Sequence, residues 1–161
     1  MARRPQHSPE QLRLMIVEAA ERIVREDGYG GLSAREIAKV IRYSPGTIYN
    51  VFHTIDEVVL ELEQRLLQRL EAELVAIEGG PTPEAELRRL AGAYVDFTHG
   101  DRRLWSVLLE HRRNVKAILP DWYDDRLRRL LDRIEAALIP AFPVDRQRER
   151  RQSACLLRKA G

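Results

Sequence analysis

The sequence predicts an all-α protein, and three observations carry that prediction. Apolar residues recur three and four positions apart in one segment after another, as on the buried stripe of a helix. Several of these segments open on Ser or Thr with Gln or Glu three residues later, which is how helices start. Nowhere does an apolar/polar alternation of period two persist, as a half-buried strand would require. The 161 residues make one ordinary domain or two small ones, and 44% hydrophobic with 32% charged residues describes a soluble globular chain. No apolar run approaches the roughly 18 residues of a membrane span. The start Met1-Ala2-Arg3-Arg4-Pro5 lacks the apolar segment of a signal peptide. The single Cys155 excludes an internal disulfide framework and fits a reducing compartment. A cytoplasmic protein without a membrane partner is expected.

Taken in order, Ser8-Pro9-Glu10-Gln11 opens the first helix with an N-cap, a proline at the first position and Gln three residues on. Leu12, Ile16, Ala19, Ala20 and Ile23 form its stripe as far as Asp27, and Gly28 can close it in the left-handed conformation. Ser33 caps the second helix, with Glu36 completing a capping box and Ile37 and Ile41 one turn apart on a face with small Ala38. Arg42-Tyr43-Ser44 is a turn. Ser44 then caps a third helix whose first residue is Pro45, and Ile48, Val51 and Phe52 face inward, leaving Thr47, Tyr49 and Asn50 outward. Two short capped helices across a tight turn are the helix-turn-helix plan, in which the second helix enters the DNA major groove. The first helix completes a three-helix domain.

Thr54-Ile55-Asp56-Glu57 is another capping box, opening a helix of roughly 24 residues, about 36 Å, with the stripe Val58, Leu62, Leu66, Leu70, Leu74, Ile77. Gly79-Gly80-Pro81 ends it. Leu87, Leu90, Ala91, Tyr94, Val95 and Thr98 outline a fifth helix ending at Gly100, and Leu104, Trp105, Val107, Leu108 and Leu109 a sixth. Asp121 caps a seventh, with Trp122, Leu127, Leu130, Leu131, Ile134 and Leu138, stopped by Pro140. Residues 145–157 read as the opening of an eighth. The expected organisation is residues 1–53 as a helix-turn-helix domain and residues 54–161 as a second helical domain.

The run Gly28-Tyr29-Gly30-Gly31-Leu32-Ser33, then Glu36-Ile37-Ala38, then Ser44-Pro45-Gly46-Thr47-Ile48-Tyr49-Asn50-Val51-Phe52 closely resembles the N-terminal domain of TetR-family transcriptional regulators. The match covers about the first third of the chain. One departure is Ile55, which stands where the family usually carries a lysine that reaches a phosphate. The resemblance implies a ligand-responsive regulator, a repressor in the usual case, that binds a palindromic double-stranded DNA operator as a homodimer and needs no cofactor. Residues expected at the DNA by match to family positions are Ser33, Arg35, Ser44, Pro45, Gly46, Thr47, Tyr49, Asn50 and His53. Arg35 is the expected base reader, since a guanidinium can bond both acceptors of a guanine edge. Pro45 and Gly46 permit close approach, and Ser33, Thr47, Tyr49 and His53 are expected at phosphates or sugars.

By the same resemblance residues 54–161 are a ligand-binding and dimerisation domain, incomplete at its end, whose helices surround an unknown small-molecule effector, with Tyr94, Phe97, Trp105, Leu108 and Trp122 as candidate lining residues against the alternative that they are ordinary core. His99 and His111 are not at a metal-binding spacing and read as surface or capping residues. Family members usually continue through two more helices that form the dimer interface, whereas this chain stops at Gly161.

Charge alone argues little. The net charge is +2 with a pI near 8.9, and residues 1–53 carry eight basic against six acidic side chains. Arg3 and Arg4 form an arm of the kind that can enter a minor groove or simply solubilise a terminus, and the basic surplus after Asp145 reads as a solvated helix or frayed end. A different class of function, a helical interaction module or a truncated regulator that has lost dimerisation and binds DNA only weakly, accommodates Ile55 and the short C-terminus. Enzymatic chemistry is not expected, because the sequence holds no nucleophile elbow, Gly-rich phosphate loop or metal cluster.

Overall fold

A computed structural model describes residues 7–77, 79–114 and 120–141. These residues form seven α-helices, α1 (Pro9–Asp27), α2 (Ala34–Ile41), α3 (Pro45–Val51), α4 (Ile55–Val75), α5 (Pro83–Gly100), α6 (Arg102–Asn114) and α7 (Asp121–Leu138). Single 3-10 turns follow α1 and α7, and there is no strand among the described residues. The expected helix at 145–157 lies outside the described residues, as do Arg3, Arg4 and Cys155. Packing divides the chain into two compact units. One comprises Met1–Leu66 with Asp101–Lys116, the other Leu67–Gly100 with Ala117–Gly161. The functional division expected at 53/54 is a separate matter from this packing, which places α6 with the N-terminal helices.

In the first unit, α1 starts as its sequence dictates. Ser8 Oγ accepts from the Gln11 N–H at 3.2 Å and the Ser8 N–H is returned to Gln11 Oε1 at 2.8 Å, a complete capping box. Ile16, Val17, Ala20 and Val24 lose all or nearly all contact with water, together with Ile37, Ile48 and Phe52. Each such side chain contributes about 1.5–3 kcal/mol of burial free energy. Arg13 ties three elements together: its guanidinium lies 4.3 Å from the centroid of Phe52 and pairs with Glu61 of α4 at 2.5 Å. Gly28 has φ +78° as expected of a terminating glycine, but its ψ of 178° is extended rather than left-handed. Gly31 is fixed by space instead: an added Cβ would fall 2.6 Å from Asp27 Cβ.

Two local details of this unit differ from expectation. Glu36 does not complete a capping box on Ser33. Ser33 Oγ accepts from the Glu36 N–H at 3.2 Å, but the Glu36 carboxylate turns outward to Lys39 at 2.6 Å. The turn is also more than a spacer. Tyr43 donates its N–H to the Ala38 carbonyl at 3.0 Å and Arg42 to that of Lys39 at 3.3 Å, the two bonds of a Schellman ending. Arg42 occupies the left-handed position itself, with φ 59° and ψ 42°, where glycine is the usual residue.

In the second unit, α4 ends at Val75, one turn short of the expected Gly79, with Ala76 N–H still bonded to the Ala72 carbonyl. The glycines ahead cost helix stability and the chain leaves before reaching them. Asp121 is not the cap of α7. Pro120 is, with φ −61° and ψ 149°, and Asp121 sits in the first turn where its charge suits the helix dipole. Tyr123 is almost fully buried, and Glu71 receives both Arg126 at 2.6 Å and Arg129 at 3.1 Å. Arg133 joins Glu86 at 2.7 Å and the Ile77 carbonyl at 3.1 Å. Tyr94 and Val95, expected on the buried stripe of α5, are about half exposed, as is Leu109 of α6. On α5 the fully buried positions are Leu90 and Thr98.

The left-handed residue of the turn gives a stability prediction. A non-glycine in that conformation costs roughly 1–2 kcal/mol, part of which glycine returns through its own greater loss of entropy. Arg42→Gly should raise the urea-unfolding free energy by about 0.5–1 kcal/mol. A lower midpoint would show that contacts of the Arg42 side chain outweigh the strain.

Candidate nucleic-acid interface

The site is built by rooting one face of a very short helix. A seven-residue helix is far below the roughly 12–15 residues needed for marginal stability alone, so tertiary burial must hold α3. Ile48 and Phe52 supply it, both at 0% exposure. The same geometry turns Tyr49, half exposed, and Asn50, fully on the surface, to the opposite side. At the start of α3, Ser44 Oγ accepts from the Thr47 N–H at 3.3 Å and lies 3.1 Å from Thr47 Oγ1, so the two hydroxyls hold one another at the exposed end.

Gly46 sits in this first turn. A Cβ there would meet only Ser44 Oγ, at an ordinary 3.7 Å. The protein's own packing therefore does not demand glycine, and the open space lies outside, where an approaching backbone would use it. Pro45 is likewise exposed. Arg35, in the first turn of α2, is exposed and has no ion-pair partner among the described residues, in contrast to Lys39, which Glu36 engages. Ser33 is half-buried and committed to capping α2. His53 presents an exposed side chain while its N–H goes to Glu57 Oε2 at 3.0 Å. Thr54 Oγ1 in turn accepts from the Glu57 N–H at 3.1 Å, so the start of α4 is tied back to the end of α3. Ile55, the departure from the family pattern, is half-buried.

One contact was not evident in the sequence. His7 Nδ1 and the Tyr43 hydroxyl share a hydrogen bond of 2.6 Å across 36 positions, with the rings edge to face at 6.0 Å. It fastens the chain just before α1 to the turn of the helix-turn-helix. An aromatic residue inside a polar turn was the available signal. Near by, hydrogen bonds from its own backbone and from Ser8 lower the pKa of Glu10 in the first turn of α1.

The effector candidates are not brought together as a set. In the second unit a cavity of about 320 Å³ is lined by Leu74, Leu87, Leu90, Ala91, Tyr94 and Ile134. Of the five residues expected from sequence, Tyr94 lines it. Phe97 and Trp122 belong to the same unit, and Trp122 lies beside Tyr123 with ring centroids 5.3 Å apart. Trp105 and Leu108 belong to the first unit, where Leu108 is buried. His99 is exposed with its ring on the Val95 carbonyl at 2.9 Å, a capping role as expected. His111 is not on the surface: it is 1% exposed and paired with buried Glu63. Among the described residues no group of His, Cys, Asp and Glu could hold a metal ion, and no helix is long and apolar enough to cross a membrane.

Residues 16–62 match the family model for bacterial regulatory proteins of the tetR family. The chain is 30% identical over 83 residues to an uncharacterized HTH-type transcriptional regulator, YobS, of Bacillus subtilis (strain 168), an alignment covering 52% of this chain and 44% of the relative. The chain thus spans less than half the length of that curated relative. Its fold is similar to a TetR family transcriptional regulator, PfmR, from Thermus thermophilus, with a TM-score of 0.59 and 21% identity, covering 78% of this chain and 69% of the other. A protein of unknown function from Rhodococcus sp. RHA1 superposes with a TM-score of 0.72 and 23% identity over 97% of this chain and 80% of that one.

Because Ser44 carries the start of α3, Ser44→Ala should lower stability by about 1 kcal/mol in thermal or urea unfolding. A change under a few tenths would mean that burial of Ile48 and Phe52 alone holds the helix.

Proposed function

Because residues 16–62 match the family model for bacterial regulatory proteins of the tetR family, we propose that this chain is a sequence-specific DNA-binding transcriptional regulator, a ligand-responsive repressor that acts on a palindromic operator as a homodimer in the cytoplasm. The observation that carries the reading is the division of α3 into a face rooted by Ile48 and Phe52 and an opposite face that presents Tyr49 and Asn50 beside the open backbone of Gly46. A helix as short as α3 keeps its shape in a groove because it is held from behind.

In this reading residues 1–53 bind DNA and residues 54–161 carry regulation and dimerisation. Arg35 reads a base edge. Ser44, Thr47, Tyr49 and His53 meet phosphates and sugars, and Asn50 faces either; Ser33 contributes by fixing α2, with its backbone available to a phosphate. The effector occupies the apolar cavity that Tyr94 lines together with Leu74, Leu87, Leu90, Ala91 and Ile134. Paired half-sites about 34 Å apart, or a multiple of that, require two heads related by two-fold symmetry.

A second reading is favoured by one residue. Ile55, half-buried at the start of α4, offers no cation to the phosphate that the family lysine would reach. The chain is then a helical interaction module, or a regulator fragment with weak, sequence-blind affinity for DNA. Selection of bound duplexes from a random pool, followed by titration of the recovered sequence at two salt concentrations, separates the two. Recovery of a palindrome bound far more tightly than random DNA supports the regulator; weak, salt-sensitive binding to all sequences supports the fragment.

Two sets of substitutions test the roles. Arg35→Ala should cost about 1–3 kcal/mol on the selected duplex and relax preference at one base pair, whereas Thr47→Ala should weaken all sequences alike. Equal losses on specific and random DNA from both would refute the assignment. Ile55→Lys should tighten binding to every duplex and steepen the logarithmic salt dependence by about one unit per added phosphate contact; an unchanged slope would remove Ile55 from the interface.

A further inference from the structure

The first unit contains a buried charge cluster that DNA reading does not use. Glu63 of α4 is 0% exposed and His111 of α6 is 1% exposed. Their side chains meet across 48 positions of sequence, with His111 Nδ1 3.0 Å from Glu63 Oε1. The other imidazole nitrogen, Nε2, has no hydrogen-bond partner, and neither has Glu63 Oε2. Nε2 faces Asp56 Oδ1 at 3.8 Å, a separation at which a protonated ring is attracted and a ring lone pair repelled.

The other elements against α6 define what else acts there. From the 3-10 turn after α1, the Tyr29 ring stands 6.3 Å from the imidazole. Burial pushes the Tyr29 hydroxyl pKa up, and the carboxylates of Asp56, Glu63 and Glu110 push it the same way. Three acids therefore bear on this place. Helix α1 meets α6 at its other end: Arg25, whose pKa is raised by its bond to Asp101, pairs with that residue, and Arg103 donates to the carbonyls of Arg25 and Glu26.

We propose that His111 is a proton-operated latch: protonated at both ring nitrogens, it holds α6 to α4 through Glu63 and Asp56 together, and loss of one proton releases the Asp56 arm. A fully buried carboxylate is not left unpaired without a large penalty, so Nδ1 keeps its proton and donates it to Glu63, and Nε2 is the atom that gives up its proton. Imidazole is the side-chain group suited to this exchange near neutral pH. Asp56 lies in the first turn of α4, separated from the last residue of α3 by Phe52, His53, Thr54 and Ile55. The latch therefore governs how firmly the segment behind α3 is held, and a surface already held loses less conformational freedom on binding. The inference rests on the DNA-binding reading and adds its regulation: acid tightens binding and alkali loosens it.

The test is fluorescence anisotropy on the whole chain with the selected duplex, from about pH 5.5 to about 8.5 at fixed ionic strength, beside an NMR titration of the His111 ring. Wild-type affinity should weaken about two- to fivefold across the range, the size expected of one ion pair whose acid, Asp56, is open to water. His111→Gln, which keeps a donor for Glu63, and Asp56→Asn, at a position 59% exposed, should each remove that component. His7 and His53 remain in both variants and cancel in the comparison. Superimposable profiles for wild type and Asp56→Asn, or a His111 ring that does not titrate in the range, overturn the latch even if His111→Gln fails to fold. Absence of sequence-specific binding by every protein at every pH refutes the DNA reading instead, and the latch is then judged by whether the His111 titration moves in Asp56→Asn.

Discussion

The burial of Ile48 and Phe52 is the constraint on which the N-terminal unit depends. Seven residues of helix cannot pay their own nucleation. Two side chains without solvent contact, set against Ile16, Ile37 and the rest of the apolar cluster, hold the helix in one orientation. Everything that makes the outer face useful follows from that. Tyr49 and Asn50 point outward because Ile48 and Phe52 point inward, and Arg13 secures the arrangement by covering the Phe52 ring and binding Glu61.

Polar interactions refine the plan at its ends. Ser8, Ser33 and Ser44 each satisfy a backbone donor at the start of a helix, and Thr54 does the same for α4. In the second unit arginines take over this bridging role, Arg126 and Arg129 converging on Glu71 and Arg133 reaching both a carboxylate and a carbonyl. Most of these pairs remain partly solvated, so they set geometry more than they supply stability.

Much of what depends on nearest neighbours along the chain was legible in the sequence. The starts of α1, α2 and α3, the stripe of α4 and the inward positions of α3 all follow from caps and three-four spacing. What depends on a partner far away was not. Even at short range one pairing escaped it, since Glu36 reads as half of a capping box and Lys39 three residues on takes its carboxylate. His111 reads as a surface residue because nothing near it in sequence is a partner, and its partner Glu63 lies on another helix. Tyr94 and Val95 continue an apolar spacing on α5, but spacing cannot say where the covering element ends. Arg42 fits no sequence rule for a left-handed ending, which favours glycine, and only the backbone angles disclose it. At the exposed face of α3 the sequence supplied the residue types and their outward direction. The hydroxyl pairing of Ser44 with Thr47 and the anchoring of His7 on Tyr43 needed coordinates.

The first unit is assembled from two separated stretches, residues up to Leu66 and residues Asp101–Lys116, with part of another unit between them. This has a consequence for biosynthesis. Chains emerge from the ribosome at about 5–20 residues per second, so several seconds separate the appearance of α1 to α3 from that of α6. During this interval Glu63 and the apolar surface that receives Leu104 and Val107 lack their final covering. The N-terminal helices are thus first made but not first finished, and a nascent chain halted before α6 exposes a surface that chaperones recognise.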